Sequence, residues 1–216
     1  MRPLLQIALD ELTLENAFKI LDTGVDEIVD IIECGTILIG SEGRKVVQEI
    51  RNKYPNKKIV ADFKIADSGK VMAGMLLEGK PDYLTVICSA HHKTMKAVID
   101  EINDRKLNTE VQIELYGNWS FNEIDKWKEL GINHVVLHHS VDEKEAWNEK
   151  ELAIVKALLS YDIKVTVTGG IDYETIELFK GLDIFCIIAG RSIRKANDPK
   201  QEALRLLNRI KEIWPE

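Results

Sequence analysis

Short apolar runs alternate with amphipathic stretches along the whole 216-residue chain. Eight runs are rich in aliphatic and β-branched residues: Leu5 to Leu9, Glu27 to Ile32, Lys58 to Asp62, Tyr83 to Ile87, Glu110 to Leu115, His134 to Leu137, Lys164 to Thr168 and Ile184 to Ala189. Runs so compact and so apolar predict parallel strands buried on both faces. The stretches between them carry helical spacing: Leu14 to Leu21, Glu42 to Tyr54, Ser68 to Leu77, Thr94 to Asn103, Phe121 to Leu130, Glu149 to Ser160, Tyr173 to Lys180 and Pro199 to Ile213. Thr13 opens the first helix, Pro55 stops the second, and Ser120 with Glu123 predicts a capping box for the fifth. Eight strand-helix units predict a single-domain (β/α)8 barrel over residues 1–216. A doubly wound open sheet would not need the eighth unit, and no Gly-x-Gly-x-x-Gly turn follows the first strand.

A barrel keeps its chemistry on the rim at the C-terminal ends of its strands. Asp10 follows the first strand, Glu33 the second, and Asp62, Lys64 and Asp67 the third. Glu114 ends the fifth, His138 and His139 follow the sixth, Thr168-Gly169-Gly170 the seventh and Gly190-Arg191-Ser192 the eighth. The opposite rim offers no comparable set. Asp62 and Lys64, two apart on a strand, point to one face, and charges there must be paired or hold a metal.

Each group has a bland reading beside the chemical one. Gly169, Gly170 and Gly190 could merely turn corners. Together with Arg191 they form a phosphate site, because glycine lets backbone N–H groups approach an anion and arginine adds a bidentate contact. Glu33 and Asp62 offer hard oxygens that suit Mg²⁺ with positions left open, or they pair with Lys64 and hold nothing. Lys64 between Asp62 and Asp67 stays protonated, which disfavours a Schiff base and favours stabilising an oxyanion. Of the adjacent His138 and His139 only one points inward, and alternation selects His138 as the proton carrier. His91 and His92 are weaker candidates, and His134, on the other rim, is structural.

Charge and composition narrow the partners. A formal net charge of -7 argues against a nucleic-acid or membrane-surface role. No apolar run approaches the ~18 residues of a membrane span, and the N-terminus lacks a signal-peptide core. Cys34, Cys88 and Cys186 are scattered in apolar runs without zinc-ligand spacing; they read as reduced and buried, which suits a cytoplasmic protein.

These residues carry a resemblance running nearly end to end. The segments are Ala8-Leu9-Asp10, Asp30 to Thr36, Ala61-Asp62-Phe63-Lys64-Ile65-Ala66-Asp67, Thr85 to Cys88, Val111 to Leu115, Val165 to Gly170 and Ile188 to Ile193. The chain is similar to the 3-keto-L-gulonate 6-phosphate decarboxylases of the orotidine monophosphate decarboxylase suprafamily, which the Asp-x-Lys-x-x-Asp pattern marks. The resemblance implies loss of CO₂ from 3-keto-L-gulonate 6-phosphate to give L-xylulose 5-phosphate through an enediolate, in L-ascorbate catabolism. It implies Mg²⁺ on Glu33 and Asp62, and Lys64 hydrogen-bonded to the enediolate. His138 would deliver a proton through water, Glu114 would position substrate or water, and Asp10, Thr168, Gly170, Gly190 and Arg191 would bind substrate. Asp67 would reach the site of a partner subunit in a homodimer with shared active sites.

One position departs from that pattern. The decarboxylases carry arginine three residues after the matching histidine, where this chain has Val141, and the sister 3-hexulose 6-phosphate synthases carry an aliphatic residue there. The synthases also tend to have aspartate at Glu114 and alanine at Thr168, and this chain has neither. Two of three markers favour decarboxylation over aldol condensation of formaldehyde with ribulose 5-phosphate. A sugar-phosphate isomerase or epimerase on the same barrel, or a phosphosugar-binding protein without catalysis, remain the other readings.

Overall fold

In a computed structural model, which describes residues 1–140 and 146–215, eight parallel strands close into a barrel in the order β1-β2-β3-β4-β5-β6-β7-β8. They are β1 (Leu4–Leu9), β2 (Ile31–Cys34), β3 (Lys58–Ile65), β4 (Tyr83–Ile87), β5 (Glu110–Leu115), β6 (His134–His138), β7 (Lys164–Thr168) and β8 (Cys186–Ala189). β1 pairs with both β2 and β8, which closes the ring and leaves no sheet edge. The expected barrel is therefore the fold, and each strand lies within or beside its expected run.

The helices pack outside through the spacing that predicted them. Helix Lys45–Lys53 buries Val46, Val47 and Ile50, and helix Pro199–Ile213 buries Ala203, Leu206, Leu207 and Ile210. The latter starts with Pro199 in its first turn, behind Asp198, whose side chain accepts from Gln201 N at 3.0 Å. Thr13 caps the first helix, accepting from Asn16 N at 3.2 Å.

Four local expectations need correction. β2 begins at Ile31 rather than Glu27, because Asp26–Ile28 continues the preceding helical segment past Gly24 at φ 97°. Ser120 does not form a capping box. Helix Glu123–Glu129 starts later, and the Ser120 hydroxyl accepts from Asn122 N at 3.3 Å in the turn before it. A capping box stands instead at Asn148 and Glu151, before helix Glu149–Leu159. The expected helix Tyr173 to Lys180 is a 3₁₀ segment, Thr175–Phe179.

The N-terminal rim also differs from its expectation, for it carries ion pairs of its own. Asp30 binds Arg2 at 2.8 Å and accepts from Leu5 N at 2.8 Å. Asp82 binds Arg51 and Lys58, each at 2.6 Å, and accepts from Ile59 N at 3.0 Å. Each carboxylate thus ties a neighbouring strand start into place. Glu110 binds Lys164 at 2.8 Å and His134 at 3.2 Å. These residues hold strands in register rather than facing a cavity, which is why a scan of strand ends for chemistry passes over them.

His134 is fully buried, as its structural assignment requires, and donates to or accepts from Thr166 Oγ1 at 2.8 Å. Burial holds its pKa below the ordinary value, against the pull of Glu110. Burial alone would raise the Glu110 pKa, but His134 and Lys164 outweigh it and bring it down to about 2 from 4.5. Because the folded pKa is depressed, the stabilisation is present above pH 4.5 and is lost as pH falls from there towards 2. Glu110→Gln is expected to lower stability at pH 7 by ~0.5–1 kcal/mol, with the difference narrowing below pH 4.5. Thermal unfolding of both proteins across that range checks it.

Candidate active site

Alternation along the strands builds the site. Residues two apart share a face, so Gln6, Ala8 and Asp10 of β1 and its exit, Asp62 and Lys64 of β3, and Gln112, Glu114 and Tyr116 of β5 and its exit look into one cavity. Glu33, Thr36, Thr85, Val136, His138, Thr168, Gly169, Gly170, Ile188, Gly190, Arg191 and Arg194 complete most of its wall. The cavity holds about 570 Å³, ample for a phosphorylated hexose acid.

Lys64 stands at its centre. Its Nζ lies 2.5 Å from Asp62 Oδ2, 2.9 Å from Thr36 Oγ1 and 3.3 Å from Glu114 Oε1. A break in the β3–β4 ladder between Ala61 and Ile65 makes room for this, and Lys64 itself adopts φ 51° there. Thr85 Oγ1 accepts from Lys64 N and donates to Asp62 Oδ1, each at 2.8 Å, which fixes the bulge to the site. Burial disfavours the Lys64 cation, but Glu114, Asp62 and Glu33 outweigh it and push its pKa above the ordinary lysine value. The expected permanent ammonium is thus what the surroundings enforce.

The two acids nearest it differ. Burial opposes ionisation of Asp62, yet Lys64, Thr36 and Thr85 together hold its carboxyl below the ordinary range. Glu33 has one hydrogen bond, to Gln6 Nε2 at 2.5 Å, and it is buried beside Asp62 and Asp10. Burial, then repulsion from Asp62 and Asp10, pushes its pKa well above the ordinary value. Glu33 and Asp62 thus form a buried cluster with more negative charge than Lys64 alone balances. Hard oxygens with an excess of negative charge fit a divalent cation. Among the described residues no group of three or more His, Cys, Asp or Glu side chains is arranged to hold an ion alone, so an ion here would take its other ligands from water or substrate.

His138 Nδ1 lies 2.6 Å from Glu114 Oε1. An ionised Glu114 can only accept, so Nδ1 carries the hydrogen and Nε2 is left for the cavity. The Tyr116 ring packs edge-on against the His138 imidazole at 5.5 Å. The alternation argument for His138 over His139 holds. His139 is buried behind the wall, with Nδ1 at 2.6 Å from Glu151 Oε1. His91 caps helix His92–Asp104, and His92 pairs with Glu123 at 2.8 Å, so neither lines the cavity.

The two glycine loops sit side by side at the far wall. Gly169 and Gly170 adopt φ 95° and 65°, a region that L side chains seldom occupy. Gly190 precedes the short helix Arg191–Arg194, and the Arg191 side chain is exposed at the mouth. Asp67 does not join this cavity: it is exposed, beyond the end of β3. Val141 lies outside the described residues.

Several lining residues were passed over in the sequence. Gln6 and Gln112 share the pleat of Asp10 and Glu114, so the same alternation would have found them. Thr85 and Thr36 look like ordinary strand and turn residues. Arg194 donates to Asp10 O at 3.2 Å and Glu11 Oε1 at 2.5 Å, with its side chain 6% exposed. Only the fold brings it to the exit of β1.

Known proteins share this arrangement. The chain is 42% identical over 215 residues to the 3-keto-L-gulonate-6-phosphate decarboxylase UlaD of Escherichia coli O17:K52:H18, with 98% of each covered. The crystal structure of KGPDC from Streptococcus mutans in complex with ribose 5-phosphate superposes with a TM-score of 0.94 at 39% identity, covering 98% of this chain and 99% of that one. The 3-hexulose-6-phosphate synthase of Salmonella typhimurium follows at a TM-score of 0.87 and 28% identity, covering 98% and 99%. Residues 3–206 match the model of one family, and the chain belongs to it: the Orotidine 5'-phosphate decarboxylase / HUMPS family.

Proposed function

We propose that the chain decarboxylates 3-keto-L-gulonate 6-phosphate to L-xylulose 5-phosphate. The observation that carries this reading is the Lys64 ammonium, fixed between Asp62 and Glu114 and facing the cavity beside the Glu114–His138 pair. The substrate is a β-keto acid, so its ketone accepts the electron pair released with CO₂ and no organic cofactor is required.

In this reading the phosphate sits on Gly170, Gly190 and the Arg191 guanidinium, while Asp10 and Thr168 bind the sugar. The bond between the carboxylate carbon and its neighbour breaks, CO₂ leaves, and the electron pair moves onto the ketone oxygen to give an enediolate. The Lys64 ammonium donates a hydrogen bond to the developing oxyanion in a site largely screened from water. His138, its ring held by Glu114, passes a proton through water to the carbon that lost CO₂. One proton is taken up per turnover, which balances the charge of the departed carboxylate.

Glu33 and Asp62 are the residues that would hold the divalent cation, which we read as Mg²⁺. When bound it supplies positive charge at the reacting oxygens. Asp67 lies outside this chain's own cavity and is open to a second subunit, which favours a homodimer with shared sites. A cytoplasmic location fits three buried, unpaired cysteines, and no helix among the described residues is long and apolar enough to cross a membrane.

The test is CO₂ release from 3-keto-L-gulonate 6-phosphate with Mg²⁺ and after chelation. Release that falls at least about 10²-fold with chelator and returns on adding Mg²⁺ supports the reading. The likeness to the Salmonella synthase favours one second reading, aldol condensation of formaldehyde with ribulose 5-phosphate. Product from that pair, with no CO₂ released from the acid, would replace the decarboxylase assignment.

A further inference from the structure

A buried cluster behind the glycine loops has no part in the steps above. Trp147 is 8% exposed, and its indole Nε1 donates to Gly169 O at 2.7 Å. The indole stands edge-on to Phe179 at 5.0 Å and lies against the His139 ring at 5.6 Å. His139 N donates to Thr168 O at 2.9 Å, and its ring meets Glu151 Oε1 at 2.6 Å. The other oxygen of Glu151 accepts from Asn148 N at 3.0 Å, closing the capping box of helix Glu149–Leu159.

We propose that Trp147, seated by His139 and Glu151, is a positioning residue that holds the Gly169–Gly170 loop in its phosphate-accepting conformation. Gly169 and Gly170 both need positive φ, so the loop must be held in a backbone state that an unconstrained chain populates only in part. Trp147 fixes the Gly169 carbonyl, and with it the peptide plane whose N–H belongs to Gly170. That N–H can then face the cavity. His139, one residue from His138, ties the same loop to the strand bearing the proton carrier. Preorganisation of this kind lowers the ordering cost of binding an anion.

The inference rests on the phosphate site of the proposed function, and inorganic phosphate tests both. Calorimetric titration with phosphate is run on the unmodified protein, Trp147→Phe and Phe179→Leu, beside steady-state CO₂ release. Trp147→Phe keeps an aromatic ring but loses the donor and leaves a buried carbonyl unpaired, so phosphate is expected to bind about tenfold more weakly. KM should rise more than kcat falls. Phe179→Leu loosens the same packing without touching that hydrogen bond and should bind phosphate within about twofold of the unmodified protein. Equal weakening in both variants, or none in Trp147→Phe, overturns the inference while leaving the functional reading in place. Absence of phosphate binding by the unmodified protein overturns the phosphate site and the inference with it. If Trp147→Phe fails to fold, Glu151→Ala, which unseats His139, takes its place: weakened phosphate binding supports the inference, and unchanged binding overturns it.

Discussion

Replacing Lys64 by methionine should lower kcat for CO₂ release by about 10²–10³-fold, with a smaller change in KM. The ammonium is the cation closest to where charge develops on the substrate, and no neutral side chain replaces it. Methionine keeps the length of the stem, so the loss reads charge rather than volume. A second effect follows from Asp62 and Glu114, which now contact Lys64 at 2.5 and 3.3 Å. Left without their partner in a buried site, they destabilise the fold by about 3–5 kcal/mol. Steady-state assays beside thermal unfolding separate the two effects. A variant that keeps more than about a tenth of the original kcat would remove Lys64 from the chemistry.

Gly169→Ala should be the most damaging single-methyl change in the chain. A Cβ there would run into the carbonyl of His139, lying 2.7 Å from its carbon. Neither side can give way, because His139 N is bonded to Thr168 O and Gly169 O to Trp147 Nε1. With φ 95° added to the clash, a loss above about 3 kcal/mol is expected, together with loss of activity. Gly170→Ala is the internal control. At φ 65° with nothing within 4 Å of its Cβ, it should cost only about 1 kcal/mol. Thermal midpoints of the two variants test the contrast, and equal midpoints would mean that the loop repacks freely.

Most of the barrel was legible because its signals are local. Compact aliphatic runs, their spacing and the glycines at the last two exits are all read within a few residues. Lys64, Asp62, Glu33, Glu114 and His138 were legible for the same reason, since a charged residue in an apolar strand has few places to go. What escaped depends on contacts between distant parts of the chain. The β2 start looked earlier because Glu27 to Ile32 is apolar enough for a strand, yet Asp26–Ile28 stays helical after the turn at Gly24. Ser120 and Glu123 have the right spacing for a cap, but the helix begins at Glu123 itself. Arg194 and Trp147 act through partners 183 and 22 residues away, which no local pattern discloses.

The shared pleat of the cavity wall also sets what changes of length the chain can absorb. Gln6, Ala8 and Asp10 alternate with Leu5, Ile7 and Leu9, which are buried on the other side of β1. Deleting a single residue upstream within that strand would exchange the two sets, sending an amide and a carboxylate into the layer beneath the helices and aliphatics into the cavity. The same holds for β5, where Gln112 and Glu114 alternate with Val111, Ile113 and Leu115. Insertions and deletions among relatives should therefore gather in the turns, while the strand segments drift only by substitution.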